Sequence, residues 1–177
     1  MSYFTSEAAS EAPEIHLIAA ADKASFLDSL PDEDKAQLTV CGFADGKTKQ
    51  AWLGRKLFLI ADLTDRWALA GLPKALPAGD YKLVADLDAS QAELLALGWA
   101  LGHFKTKTYR NFAEEGQNLE PRRLALPAQI NAERVQALAT AIGLGRDLIN
   151  KPANVLTPAA LQAEVEALGA EFGAEVS

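Results

Sequence analysis

Tyr81-Lys82-Leu83-Val84-Ala85-Asp86-Leu87-Asp88-Ala89-Ser90-Gln91-Ala92-Glu93 is the stretch that decides the fold class. Its first five residues mix aromatic, aliphatic and β-branched side chains and read as a strand ending at Asp86. Ser90-Gln91-Ala92-Glu93 follows with the spacing of a capping box, in which the serine hydroxyl and the glutamate carboxylate each satisfy an otherwise orphan backbone N–H. The helix this opens carries Leu94, Leu97, Leu101 and Phe104 at steps of three, four and three, so one face is expected to meet a core. A strand running directly into an amphipathic helix is the repeating unit of an α/β fold.

Outward from this unit the same alternation continues. Upstream, Glu14 to Ala20 is a short apolar run that reads as a strand, and Pro31-Asp32-Glu33-Asp34 places a proline and acids where a helix N-terminus favours them, over about 31–38. Gln50 to Leu53 and Leu57 to Leu63 read as strands joined at Gly54-Arg55, and the run Leu57-Phe58-Leu59-Ile60-Ala61 suits a strand covered on both faces. Trp67 to Leu72 is expected to form a short helix before Pro73. Downstream, Phe112 to Glu120 reads as a loop and Arg123 to Leu126 as a short strand. Helices follow from about Ala132 to Leu148, with Val135, Leu138, Ile142 and Ile149 on one side, and from Thr157-Pro158 onward, with Leu161, Val165, Leu168 and Phe172 at steps of four, three and four. Gly98 and Gly102 lie four apart within the capped helix, a spacing that suits close approach to another backbone better than a phosphate, whose loop needs glycines before the helix.

Composition narrows the function classes. The chain has 177 residues, is 49 % hydrophobic and carries a net charge of −7, with 17 basic against 24 acidic side chains. Nucleic-acid binding is disfavoured, since it relies on Lys and Arg displacing counterions from phosphates. No apolar run reaches the roughly 20 residues a membrane-spanning helix needs. The first dozen residues are small, polar and acidic, and read as a loose start without a targeting pattern. One cysteine, Cys41, excludes an internal disulfide and a multi-cysteine zinc site, and within Leu38-Thr39-Val40-Cys41-Gly42 it reads as a buried thiol, not a nucleophile.

Catalytic signals are thin. The two histidines, His16 and His103, sit in separate segments without metal-ligand spacing, and each reads as structural. Asp32, Glu33 and Asp34 read as a solvated helix start, and Asp86 and Asp88 as a strand end or turn before the next helix. Gly143 and Gly145 form a fragment of a dinucleotide fingerprint without its preceding strand. No nucleophile elbow, P-loop or C-x-x-C motif is present.

Two motifs carry a resemblance. Gly143-Leu144-Gly145-Arg146-Asp147-Leu148-Ile149-Asn150-Lys151-Pro152-Ala153-Asn154-Val155-Leu156-Thr157-Pro158 resembles the start of the catalytic domain in cytosolic leucyl aminopeptidases, where a helix carrying A-R-D-L-x-N-x-P-x-N leads into a T-P capped helix. Gly98-Trp99-Ala100-Leu101-Gly102-His103-Phe104-Lys105, with Tyr109 following, is similar to a helix end of the same family. Physically the first motif reads as a rigid joint. Arg146 and Asp147, near the helix C-terminus, can anchor the joint to neighbours, Asn150 can bond the turning backbone and Pro152 bars continuation. Asn154 can make an Asx-type turn, and Thr157 and Pro158 open the next helix.

The resemblance implies a macro-domain-like N-terminal α/β domain, a mixed sheet flanked by helices, over 13–130, after a flexible 1–12. Residues 131–177 would be the linker helix and the beginning of a peptidase domain that the chain holds only in truncated form. It further implies a cytoplasmic enzyme, commonly a hexamer, that removes N-terminal residues from peptides using two divalent metal ions (zinc, manganese or magnesium). Those metals are held by a lysine and acidic residues that no stretch here matches. No catalytic, metal or substrate-binding residue is therefore expected within these 177 residues, which would serve assembly or active-site access. The rival readings are a macro-like module binding a nucleotide or ADP-ribose at its strand ends, and a pure oligomerisation scaffold.

Overall fold

The computed structural model describes residues 2–6, 8–104, 121–126 and 130–176. Among the described residues six strands form one sheet in the order β1-β6-β5-β2-β4-β3. They are β1 (Phe4–Thr5), β2 (Glu14–Ala19), β3 (Gln50–Leu53), β4 (Lys56–Ala61), β5 (Gly79–Val84) and β6 (Arg122–Ala125). The helices are α1 (Lys23–Ser29), α2 (Asp32–Val40), α3 (Leu72–Ala75), α4 (Ala89–Gly102), α5 (Ala132–Asn150) and α6 (Pro158–Phe172), with a 3-10 turn at Ala20–Asp22. Four neighbouring pairs run parallel, and only the hairpin β3–β4 is antiparallel. The sheet is thus mixed and the class α/β, as the alternation predicts.

The chain divides into two compact units, Met1–Phe104 with Asn118–Thr140, and Lys105–Gln117 with Ala141–Ser177. The first contains the whole sheet. Strand residues alternate between its faces, and β2 and β4 pair in register from Glu14 with Lys56 to Ala19 with Ala61. On one face Ile18 and Phe58 pack with Leu38, Phe43 and Ala51, bordered by Phe26, Leu27 and Leu30. The opposite face carries Ile15, Leu17, Leu57, Leu59 and Tyr81, all buried, and α4 lies on it, with Trp99 against the Tyr81 ring at 6.1 Å. Cover on both faces is why β4 reads as a nearly unbroken apolar run.

The approach of α4 to the rest of its unit depends on two glycines. A Cβ at Gly98 would lie 1.7 Å from the Arg66 carbonyl oxygen, and one at Gly102 would lie 2.2 Å from that of Ala70. The helix therefore rests on the bare backbone of the turns following β4. Those turns are pinned by Asx bonds: Asp62 accepts from the Thr64 N–H at 2.9 Å, and Asp65 accepts from the Trp67 N–H at 2.9 Å.

Several elements differ from the sequence reading. The capping box of α4 is formed by Asp88 and Gln91, not by Ser90 and Glu93. Asp88 Oδ1 accepts from the Gln91 N–H at 2.8 Å, and the Gln91 side chain accepts from the Asp88 N–H at 3.1 Å. A carboxylate at the positive helix end is favoured by the dipole as well as by its hydrogen bond. Of the expected face Leu101 is buried, while Leu94, Leu97 and Phe104 are half-buried; Ala92, Leu95, Ala96, Gly98, Trp99, Ala100 and Gly102 are buried as well, so burial reaches around most of α4 instead of following one leucine stripe. Trp67 to Leu72 is not a helix: its N–H groups reach back only three residues, as in Ala70 to Trp67 at 3.0 Å, and α3 begins at Leu72. The loose start holds a strand, since Phe4 is buried and pairs with Leu124 in β6. Two residues are too short for a periodic signal. The loop expected at 112–120 and Tyr109 lie outside the described residues.

Candidate functional site

The joint between α5 and α6 is the feature that the sequence singled out, and it falls within the second unit. Arg146 and Asp147 occupy the last turns of α5, both half-buried. The Asn150 amide donates to the Arg146 carbonyl oxygen at 2.7 Å, and the Lys151 N–H donates to that of Asp147 at 3.0 Å, so two of the terminal carbonyls a helix leaves open are satisfied locally. Pro152 then stops the helix. Its carbonyl oxygen accepts from the N–H groups of Val155 at 2.8 Å and Leu156 at 2.9 Å, closing a turn around Ala153 and Asn154. Thr157 caps α6, its hydroxyl accepting from the Ala160 N–H at 3.2 Å, and Pro158 takes the first helical position, where no N–H is needed.

The carbonyls of Arg146, Asp147 and Pro152 and the side chains of Asn150 and Thr157 thus take part in one run of local bonds. Asn154 is exposed and makes no Asx turn; the Pro152 carbonyl does that work through the backbone. The sequence reading also missed a clasp. Lys151 Nζ meets Glu164 Oε1 at 2.5 Å, tying the turn to the second turn of α6. Thirteen positions separate the pair, a spacing that signals nothing until the turn folds back.

Elsewhere among the described residues, several titratable groups make contacts that hold the fold. His16 pairs with Glu14 at 2.8 Å and packs on Phe58, and this hydrogen bond holds the Glu14 carboxyl below its usual range. His103 ends α4 with Nδ1 3.0 Å from the Trp99 carbonyl oxygen and Nε2 2.9 Å from that of Arg122, linking the helix to β6. Burial lowers its pKa, against the pull of these two acceptors. Burial also pushes the Tyr81 phenol up, and its hydroxyl donates to the Pro77 carbonyl oxygen at 2.8 Å. Asp80 holds Arg123 through bonds of 2.8 and 3.0 Å between neighbouring strands. Asp32, Glu33 and Asp34 form the first turn of α2, Asp88 is spent as a cap, and Asp86 is exposed. Among the described residues no three His, Cys, Asp or Glu side chains gather as metal ligands, and no helix is long and apolar enough to cross a membrane. Cys41 is exposed, not buried as a small apolar residue would be, because it falls just past the end of α2.

A mixed α/β domain followed by a capped helical joint is the class of protein these observations define. Comparison with known proteins makes it specific. Residues 35–127 match the family model "M17 aminopeptidase, N-terminal domain". The chain belongs to the M17, or leucyl, aminopeptidase family. It is 36 % identical over 94 residues to a probable cytosol aminopeptidase of Nitratidesulfovibrio vulgaris, an alignment covering 48 % of this chain and 18 % of that protein. The crystal structure of the Coxiella burnetii cytosol aminopeptidase matches with a TM-score of 0.81 and 25 % identity, over 98 % of this chain and 39 % of that one. A tomato leucine aminopeptidase shares the fold, with a TM-score of 0.57 at 14 % identity over 98 % of this chain and 43 % of that one. The chain therefore spans less than half of each of these relatives.

Proposed function

We propose that these 177 residues are the accessory N-terminal part of a metal-dependent aminopeptidase, and that they do not themselves catalyse. The observation that carries this reading is the match over 98 % of this chain to 39 % of a cytosol aminopeptidase, running through the α5–α6 joint. In the proposed enzyme, two divalent metal ions, zinc, manganese or magnesium, lie in the larger remainder of the fold. Bound there, such ions would supply the Lewis-acid chemistry for hydrolysis of the peptide bond next to a free N-terminal amine. No residue described above is assigned to that step. The α/β domain would contribute to assembly of a homo-oligomer, a hexamer in this reading, or limit access to the active site of a cytoplasmic enzyme.

The apolar edge of α6 supports this. Leu161, Val165 and Phe172 share one helix face and are exposed at 42, 43 and 75 %. A face of that kind on an otherwise well-capped helix suits cover by further parts of a larger fold. The α5–α6 joint would then act by direction: its caps and clasp fix the angle at which α6 enters that fold.

The test is turnover of a leucyl amide with manganese added. The 177-residue chain is expected to show none, while the protein extended to the length of its relatives shows activity removed by a chelator. Chelator-sensitive turnover by the 177 residues alone overturns the accessory reading, and an inactive extended protein overturns the aminopeptidase.

A further inference from the structure

We draw no further inference here: the strongest candidate, the hollow of about 410 Å3 between the ends of β1 and β6 and the first turns of α5, carries nothing because it rests on a helix N-terminus, with no unpartnered buried polar side chain among its described lining residues to say what it would hold.

Discussion

Replacing Gly98 with alanine separates two opposing effects whose sizes are known. In a helix interior the change gains about 1 kcal/mol of intrinsic propensity. Against this, the new methyl would lie 1.7 Å from the Arg66 carbonyl oxygen and 2.9 Å from its carbon. Those atoms are backbone, so no side chain can rotate aside, and α4 must retreat from the turn by well over an ångström. The retreat would loosen the packing of Trp99, which is fully buried. Overpacking of this kind costs roughly 1–3 kcal/mol, and a backbone obstacle belongs at the upper end. Net destabilisation of about 2 kcal/mol is expected, or a fall in melting temperature of about 4–8 °C for a chain this size. Urea unfolding followed by tryptophan fluorescence measures it. Gly145→Ala in α5 is the control: a Cβ there meets nothing within 4 Å, so only the propensity gain remains and stability should rise. If Gly98→Ala stabilises the protein as Gly145→Ala does, the close approach of α4 to the Arg66–Ala70 backbone is wrong.

Other expectations follow from the joint and from His103. Thr157→Ala should cost about 1 kcal/mol of α6 stability through the lost cap, whereas Thr157→Ser should cost much less; equal losses in helical circular dichroism on heating would contradict the cap. Lys151→Met and Glu164→Gln should couple by about 1 kcal/mol in a double-mutant cycle, since the Lys151 side chain is only 19 % exposed; additive effects would remove the clasp. For His103 the folded pKa is lowered from 6.5, first by burial. The fold therefore favours the neutral ring, so its contribution to stability is complete above the unfolded value and is lost as pH falls through the folded one. Nuclear magnetic resonance of the imidazole should give a midpoint below 6.5, and a midpoint above it would mean that the Trp99 and Arg122 carbonyls outweigh burial.

What could be read in advance depended on how local the cause was. The hairpin at Gly54-Arg55, the double cover of β4 and the Thr157-Pro158 cap each follow from a few adjacent residues, and each is present. The glycines of α4 were legible too, because spacing within one helix shows that a backbone must approach, though not that it would be Arg66 and Ala70. Where two local solutions compete, sequence does not choose. Asp88 with Gln91 and Ser90 with Glu93 are both sound capping boxes, and the chain uses the one that sets a carboxylate at the helix start. Leucine periodicity caught only part of the α4 contact, Leu101, because it does not count the small residues Ala92, Ala96, Gly98, Ala100 and Gly102, which are buried too. Strand β1 and the Lys151–Glu164 clasp depend on partners far along the chain, Leu124 for the one and the folded-back turn for the other. The motif Arg146 to Pro158 is the instructive case. It identified the family, yet each hydrogen bond described in it serves the joint itself, so its value as a signature comes from geometry. A helix that must leave a turn at one fixed angle constrains Asn150, Pro152, Thr157 and Pro158 together, because each supplies a bond or a stop that its neighbours need.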